Sequence, residues 1–218
     1  MAAFDFGVKV DPVLFERLIN ERYQLNVSSY LHQAWELFKE HIGEFVGFTL
    51  ITFAISSLTA MFHSVGSLLF SAIMASLYAG YGIVTFMLLS GQPIQFNDFF
   101  KGFNYFLPLF LASLAGGMLV GIGLVLLLVP GIYLAVGYMF TSFLVLDYRM
   151  EFWQAMETSR AIITKNWFAF FGFALVLMAI NLLGCLALGV GLLVSLPVTS
   201  CAVAIAYKEI VGFYSSEW

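Results

Sequence analysis

Residues 106–147 are almost continuously apolar, and a run of that length leaves few folds open. It is roughly twice the ~20 residues that carry one helix across a bilayer. Within 124–147, LVLLLVPGIYLAVGYMFTSFLVLD, the apolar sequence is punctuated at Pro130-Gly131. Pro130 lacks a backbone N–H, and Gly131 tolerates dihedrals that other residues avoid. Such a break is tolerated in lipid when neighbours or water satisfy the freed backbone groups. The economical reading is two membrane helices, 106–128 and 131–147, joined by a tight turn at Pro130-Gly131. One long kinked helix is the alternative, but it would project far beyond a ~30 Å hydrocarbon core.

The remainder of the chain repeats this character. It is 61% hydrophobic and 10% charged, against about 25% charged residues in soluble domains. A chain so poor in polar groups cannot cover a globular surface with them, so it reads as a polytopic membrane protein. A net charge of −4 offers no basic stripe for nucleic acid. Cys185 and Cys201 sit inside apolar runs and read as small buried hydrophobes rather than a disulfide or metal pair. The first 40 residues hold no early apolar segment, so no signal peptide is expected.

Three regions follow from the pattern. Residues 1–27 form an N-terminal segment with a short amphipathic helix at 12–24, where Asp11 caps and Pro12 takes the first helical position. Residues 28–212 form the membrane domain, and 213–218 a short tail. The expected spans are 43–63, 67–90, 106–128, 131–147, 167–187 and 190–211, with a break at 62–66 and a turn at Gly189 and Gly191. The fold class is therefore all-α, with six transmembrane helices as three hairpins. Amphipathic segments lead into the hairpins at 28–42, 94–105 and 148–166. In the first, Ser28 or Ser29 would cap. Leu31, Ala34, Trp35 and Phe38 recur at helical spacing, suited to the acyl boundary. Ser67, Ser71, Ala75 and Ala79, and separately Gly117 and Gly121, are small-residue repeats expected to face neighbouring helices.

All nine Lys and Arg residues fall before the first span, between the second and third, between the fourth and fifth, or at the end of the sixth. The positive-inside rule then puts both termini and the three amphipathic segments in the cytoplasm.

The spans offer little chemistry. Glu44 and Asp147 lie near span ends, and Asn181 is the most polar residue inside one, suited to an interhelical hydrogen bond. No nucleophile-elbow, zinc, Walker or dinucleotide-binding pattern occurs. No catalytic, cofactor or metal residue is expected. The richest polar cluster is Asp147, Arg149, Glu151, Glu157, Arg160 and Lys165, which reads as a solvated helix face or as a docking or lipid-headgroup surface.

One further pattern runs through Val129-Pro130-Gly131-Ile132-Tyr133, Tyr138, Asp147, Ala155, Ser159, Trp167 and Gly172, with Trp35, Phe38 and Lys39 upstream. It resembles the bacterial YciC-like membrane proteins and the related membrane domain of glycerophosphodiester phosphodiesterases, over roughly 28–212. No phosphodiesterase catalytic domain accompanies it. The resemblance implies a bacterial inner-membrane location in the cell envelope. It puts Asp147 and Ser159 at motif positions, where an N-cap by Asp147 or a hydrogen bond locking a loop to the bundle is expected. Pro130, Gly131, Asp147, Ser159, Arg160 and Asn181 are the candidate structural or docking residues. The expected function is non-catalytic organisation of the bilayer or of partner proteins, with lipids, a second copy or another membrane protein as partners. Transport of a lipid or apolar solute is the alternative.

Overall fold

A computed structural model of the chain describes residues 23–59, 65–187 and 189–214, with backbone only at 58–59 and 65–72. The described residues are helical and turn structure with no strand. The helices are α1 Val27–Glu40, α2 Ile42–Thr59, α3 Val65–Leu89, α4 Phe106–Leu126, α5 Leu128–Gly137, α6 Thr141–Asp147, α7 Phe152–Thr164, α8 Trp167–Leu186 and α9 Leu192–Val211, with a 3₁₀ segment at Phe96–Tyr105. Four stretches are long and apolar enough to cross a membrane: Phe96–Leu126, Leu128–Asp147, α8 and α9. Two shorter apolar helical stretches, Ile42–Ser57 and Ile73–Leu89, accompany them. The chain is thus a membrane protein by the length and composition of its helices.

The amphipathic helix expected at 12–24 lies outside the described residues, except that Tyr23 and Gln24 are not helical. Most of the expected break at 62–66, and the side chains of Ser67 and Ser71, also lie outside them. Helix α1 begins two to three residues earlier than Ser28 and Ser29 suggested. Its cap is Asn26, whose side-chain oxygen accepts the Ser29 N–H at 3.1 Å. That satisfies one of the free donors of the first turn. Tyr30, Ala34 and Phe38 are buried against α9. Trp35 stays half exposed, its ring stacked on Phe38. The buried stripe is therefore rotated from the expected one, and it faces protein rather than lipid, because the ring of Tyr30 is part of the core.

Helices α2 and α3 meet through aromatic rings and one buried hydroxyl pair, Thr49 Oγ1 and Tyr81 Oη, 2.8 Å apart. The segment expected as an interfacial helix at 94–105 departs most from the sequence reading. It is a 3₁₀ segment laid along α3. Phe99 is fully buried among Phe45, Phe48 and Tyr81. Gly80 and Gly102 make the approach possible. A Cβ at Gly80 would collide with the Phe99 carbonyl, and one at Gly102 with the Ser76 carbonyl. The segment's two charges adjust to this position. Asp98 accepts the Gln95 N–H at 2.6 Å and pairs with Lys101 at 3.0 Å. The Lys101 ammonium lies 3.9 Å from the Met87 sulfur, near the C-terminal end of α3.

The chain turns between α4 and α5 at Leu127, whose backbone is extended at φ −154 and ψ 122. The expected turn at Pro130-Gly131 is therefore displaced. Both residues belong to the first turn of α5, where a missing N–H costs no helical hydrogen bond. Gly131 instead fits closely against Gly123 and Leu124 on α4. The expected single helix 131–147 is two, separated by a turn at 138–140. Gly117 and Gly121 face open space, unlike a packing stripe, while Gly123 carries the close α4–α5 contact. The tip is apolar and exposed, with Val125 87% and Val129 75% accessible.

Helix α9 ends at Gly212, whose φ of +80 suits the residue after a helix terminus. Lys208 donates from Nζ to the Leu89 carbonyl at 2.9 Å, so the end of α9 caps the end of α3.

Candidate functional site

Three of the candidate polar side chains, Ser159, Arg160 and Asp147, lie along the interrupted α5–α6 helix. The interruption frees backbone groups that need partners in an apolar interior. Ser159, fully buried on α7, supplies them. Its hydroxyl donates to the Gly137 carbonyl at 2.7 Å and accepts the Phe140 N–H at 3.1 Å. One side chain thus bridges both sides of the break. Helix α7 reaches this place by burying Ala155, Met156, Ile162 and Ile163 against the bundle.

Asp147 closes the other end of α6. It is the last helical residue and not an N-cap; Glu151 occupies the cap position of α7 and makes no side-chain capping bond. The buried Asp147 carboxylate accepts the Tyr207 hydroxyl at 3.0 Å and the Tyr214 N–H at 3.2 Å. It therefore joins α6 to α9 and to the segment that follows α9.

Arg160 stands beside Gly137 and pairs with Glu157 one turn away. The Glu157 carboxylate, and then the Tyr133 hydroxyl, raise the already high pKa of the guanidinium. Both partners are more than a third exposed, so the pair itself contributes little stability. The Tyr133 hydroxyl and Thr164 Oγ1 are 2.6 Å apart, and Thr164 donates to the Arg160 carbonyl at 2.6 Å. With the Thr164 proton given to that carbonyl, its oxygen accepts from Tyr133, and a chain of two hydrogen bonds joins α5 to α7.

Two further ties complete the set. Asn181 on α8 donates to Thr199 Oγ1 on α9 at 3.1 Å, an interhelical bond inside two membrane helices. Tyr23, ahead of α1, donates to the Ile162 carbonyl at 2.6 Å, and Asn166 returns a bond to the Tyr23 carbonyl at 3.0 Å. Burial pushes the Tyr23 phenol well above its usual pKa, with a smaller contribution from Tyr30.

The structure thus brings Ser159 and Arg160 together beside the break, with Pro130 and Gly131 at the start of the same broken helix. Asp147 lies at that helix's far end, and Asn181 stands apart between α8 and α9. Tyr133 stood in the sequence pattern with no partner assigned, and Thr164, Tyr207 and Tyr23 were not among the candidate residues, since a tyrosine or threonine carries no local sign of a partner distant in the chain. Among the described residues no three His, Cys, Asp or Glu side chains group as a metal site would require.

A cavity of about 410 Å³ opens between α4, α5 and α8. Its lining, which includes Leu124, Ile132, Val136, Phe171 and Met178, is apolar throughout. A smaller one, about 220 Å³, lies among α3, α6 and α9 and carries Tyr78, Ser142 and Ser200. Compared with known proteins, the chain matches no family model, no curated sequence and no solved structure.

Proposed function

We propose that this chain is a non-catalytic integral membrane protein that organises the bilayer or partner proteins of the bacterial envelope. One observation carries the reading. Ser159, Asp147, Asn181 and Thr49 each bond to backbone or to another helix. Those polar groups are therefore committed to joining helices, where an enzyme would turn such groups toward a substrate.

The proposal includes a topology of six spans in three hairpins, with both termini on the cytoplasmic side of the inner membrane. The distribution of Lys and Arg supports it; of the six spans proposed, four correspond to the long apolar stretches and the first two to the shorter ones, Ile42–Ser57 and Ile73–Leu89. It also includes membership of the YciC-like family, on the motif residues Pro130, Gly131, Asp147 and Ser159. Helix α1 then acts as a bracket on the cytoplasmic face, its buried stripe clasping α9, while α7 lies along the α5–α6 helix and holds its break.

The apolar cavity favours a second reading, transport of a lipid or apolar solute. The two separate in reconstituted vesicles carrying a fluorescent phospholipid in both leaflets. An organising protein leaves the inner-leaflet probe protected from an impermeant quencher. A transporter exposes it at a rate that scales with protein content, and that result overturns the proposal.

A further inference from the structure

We propose that the cavity between α4, α5 and α8 holds one acyl chain of an anionic phospholipid, with the lipid phosphate at the Lys165 end. This goes beyond the organising role and stands whether the protein retains lipid or moves it.

The cavity's size, about 410 Å³, falls in the range of small-ligand sites, about 300–1,000 Å³. Its apolar lining would strand any polar group placed inside without a hydrogen-bond partner. An alkyl chain has no such group to desolvate. The rim at one end has different chemistry. Phe171, on the wall, stacks on Trp167 with ring centres 5.0 Å apart. Trp167 in turn lies 6.1 Å from the ring of Tyr133, the neighbour of wall residue Ile132. The Tyr133 ring carries its hydroxyl at an exposed edge, paired with Thr164, as aromatic residues do where acyl chains meet headgroups.

Charge selects the lipid. Glu157 and Arg160 neutralise one another beside Tyr133. Lys165 follows Thr164, which is bonded to Tyr133, and precedes Trp167 by two residues. It is exposed, with no carboxylate partner among the described residues. The rim therefore carries one uncompensated positive charge above an apolar slot. A phospholipid with a net negative headgroup matches both parts; a zwitterionic one places its own cation against the lysine.

Native mass spectrometry of the full-length chain in mild detergent tests the site, with phosphatidylglycerol and phosphatidylcholine of identical acyl chains added in equal amounts. Wild type is expected to retain one lipid and to favour phosphatidylglycerol about fivefold, the weight of one lysine near an anionic surface. Lys165→Gln, at an exposed position, is expected to abolish the preference. Ala174→Phe, which fills the cavity, is expected to lose the retained lipid at an unchanged unfolding temperature. Equal retention of the two lipids by wild type overturns the proposal. So does a preference that survives Lys165→Gln, or a lipid retained by folded Ala174→Phe protein.

Discussion

Gly102 of the 3₁₀ segment passes so close to Ser76 of α3 that a Cβ at Gly102 would collide with the Ser76 carbonyl. Gly80 meets the Phe99 carbonyl in the same way, so the two glycines lock one backbone against the other. Neither obstacle is a movable side-chain end. Gly102→Ala should therefore cost at least the ~1–3 kcal/mol typical of overpacking. Thermal unfolding in detergent reads this as a lowered midpoint. Gly117→Ala is the control: nothing stands within 4 Å of its Cβ position. Alanine's better helix propensity, about 1 kcal/mol over glycine, should leave that variant as stable as wild type or more so. Equal loss in both variants would contradict the packing.

Those positions also show how far the sequence could be read. Composition and the long apolar runs were enough for an all-α membrane chain, because hydropathy is a property of each segment by itself. The place of Phe96–Tyr105 was not legible. Its aromatic and polar mixture suits an interface equally well, and the deciding contacts lie on α3. Pro130-Gly131 marked the right neighbourhood but the wrong residue, since proline fits the first turn of a helix as readily as a turn before it. Gly117 and Gly121 had the spacing of a packing face, yet the rotation of α4 turns them outward. For Asp147 and Ser159, position in the chain was visible, and the partners Tyr207, Tyr214, Gly137 and Phe140 were not.

Ser159 holds both ends of a broken helix, whereas Asn181 joins two helices that already pack side by side. Ser159→Ala leaves the Gly137 carbonyl and the Phe140 N–H without that partner in a buried setting, which should cost about 1–3 kcal/mol. Asn181→Leu loses one interhelical bond, which should cost about 0.6 kcal/mol. Denaturant titration of the two variants should rank them in that order. The reverse ranking would mean that the α8–α9 bond carries more of the fold than the break does.

Tyr23 gives the fold a signed alkaline dependence. Its phenol ionises less readily when folded than at the ordinary value of 10.0, because burial disfavours the phenolate. Its contribution is thus fully present below pH 10 and is lost as pH rises through that value toward the higher folded one. Tyr23→Phe should lower stability near pH 7 by about 1 kcal/mol, through the lost bond to Ile162. It should also make the decline above pH 10 shallower. Parallel declines in variant and wild type would show that Tyr23 ionises freely in the folded protein.

The proposed threading predicts which positions face which solution. A cysteine at Gly66, at the start of α3, should react with an impermeant maleimide added outside intact cells. One at Asn97, an exposed residue at the head of the 3₁₀ segment, should react only after the membrane is opened. Reversed labelling would invert the topology, and labelling of both from outside would break the second span.

The central claim is that the protein acts by holding other molecules in place, and native mass spectrometry of the complex ejected gently from its own membrane tests it most directly. A defined homo-oligomer, or a stable complex with another membrane protein, is the predicted result, with any tightly held lipid as an accompaniment. A monomer carrying a single non-lipid solute in stoichiometric amount, with no protein partner, would contradict it.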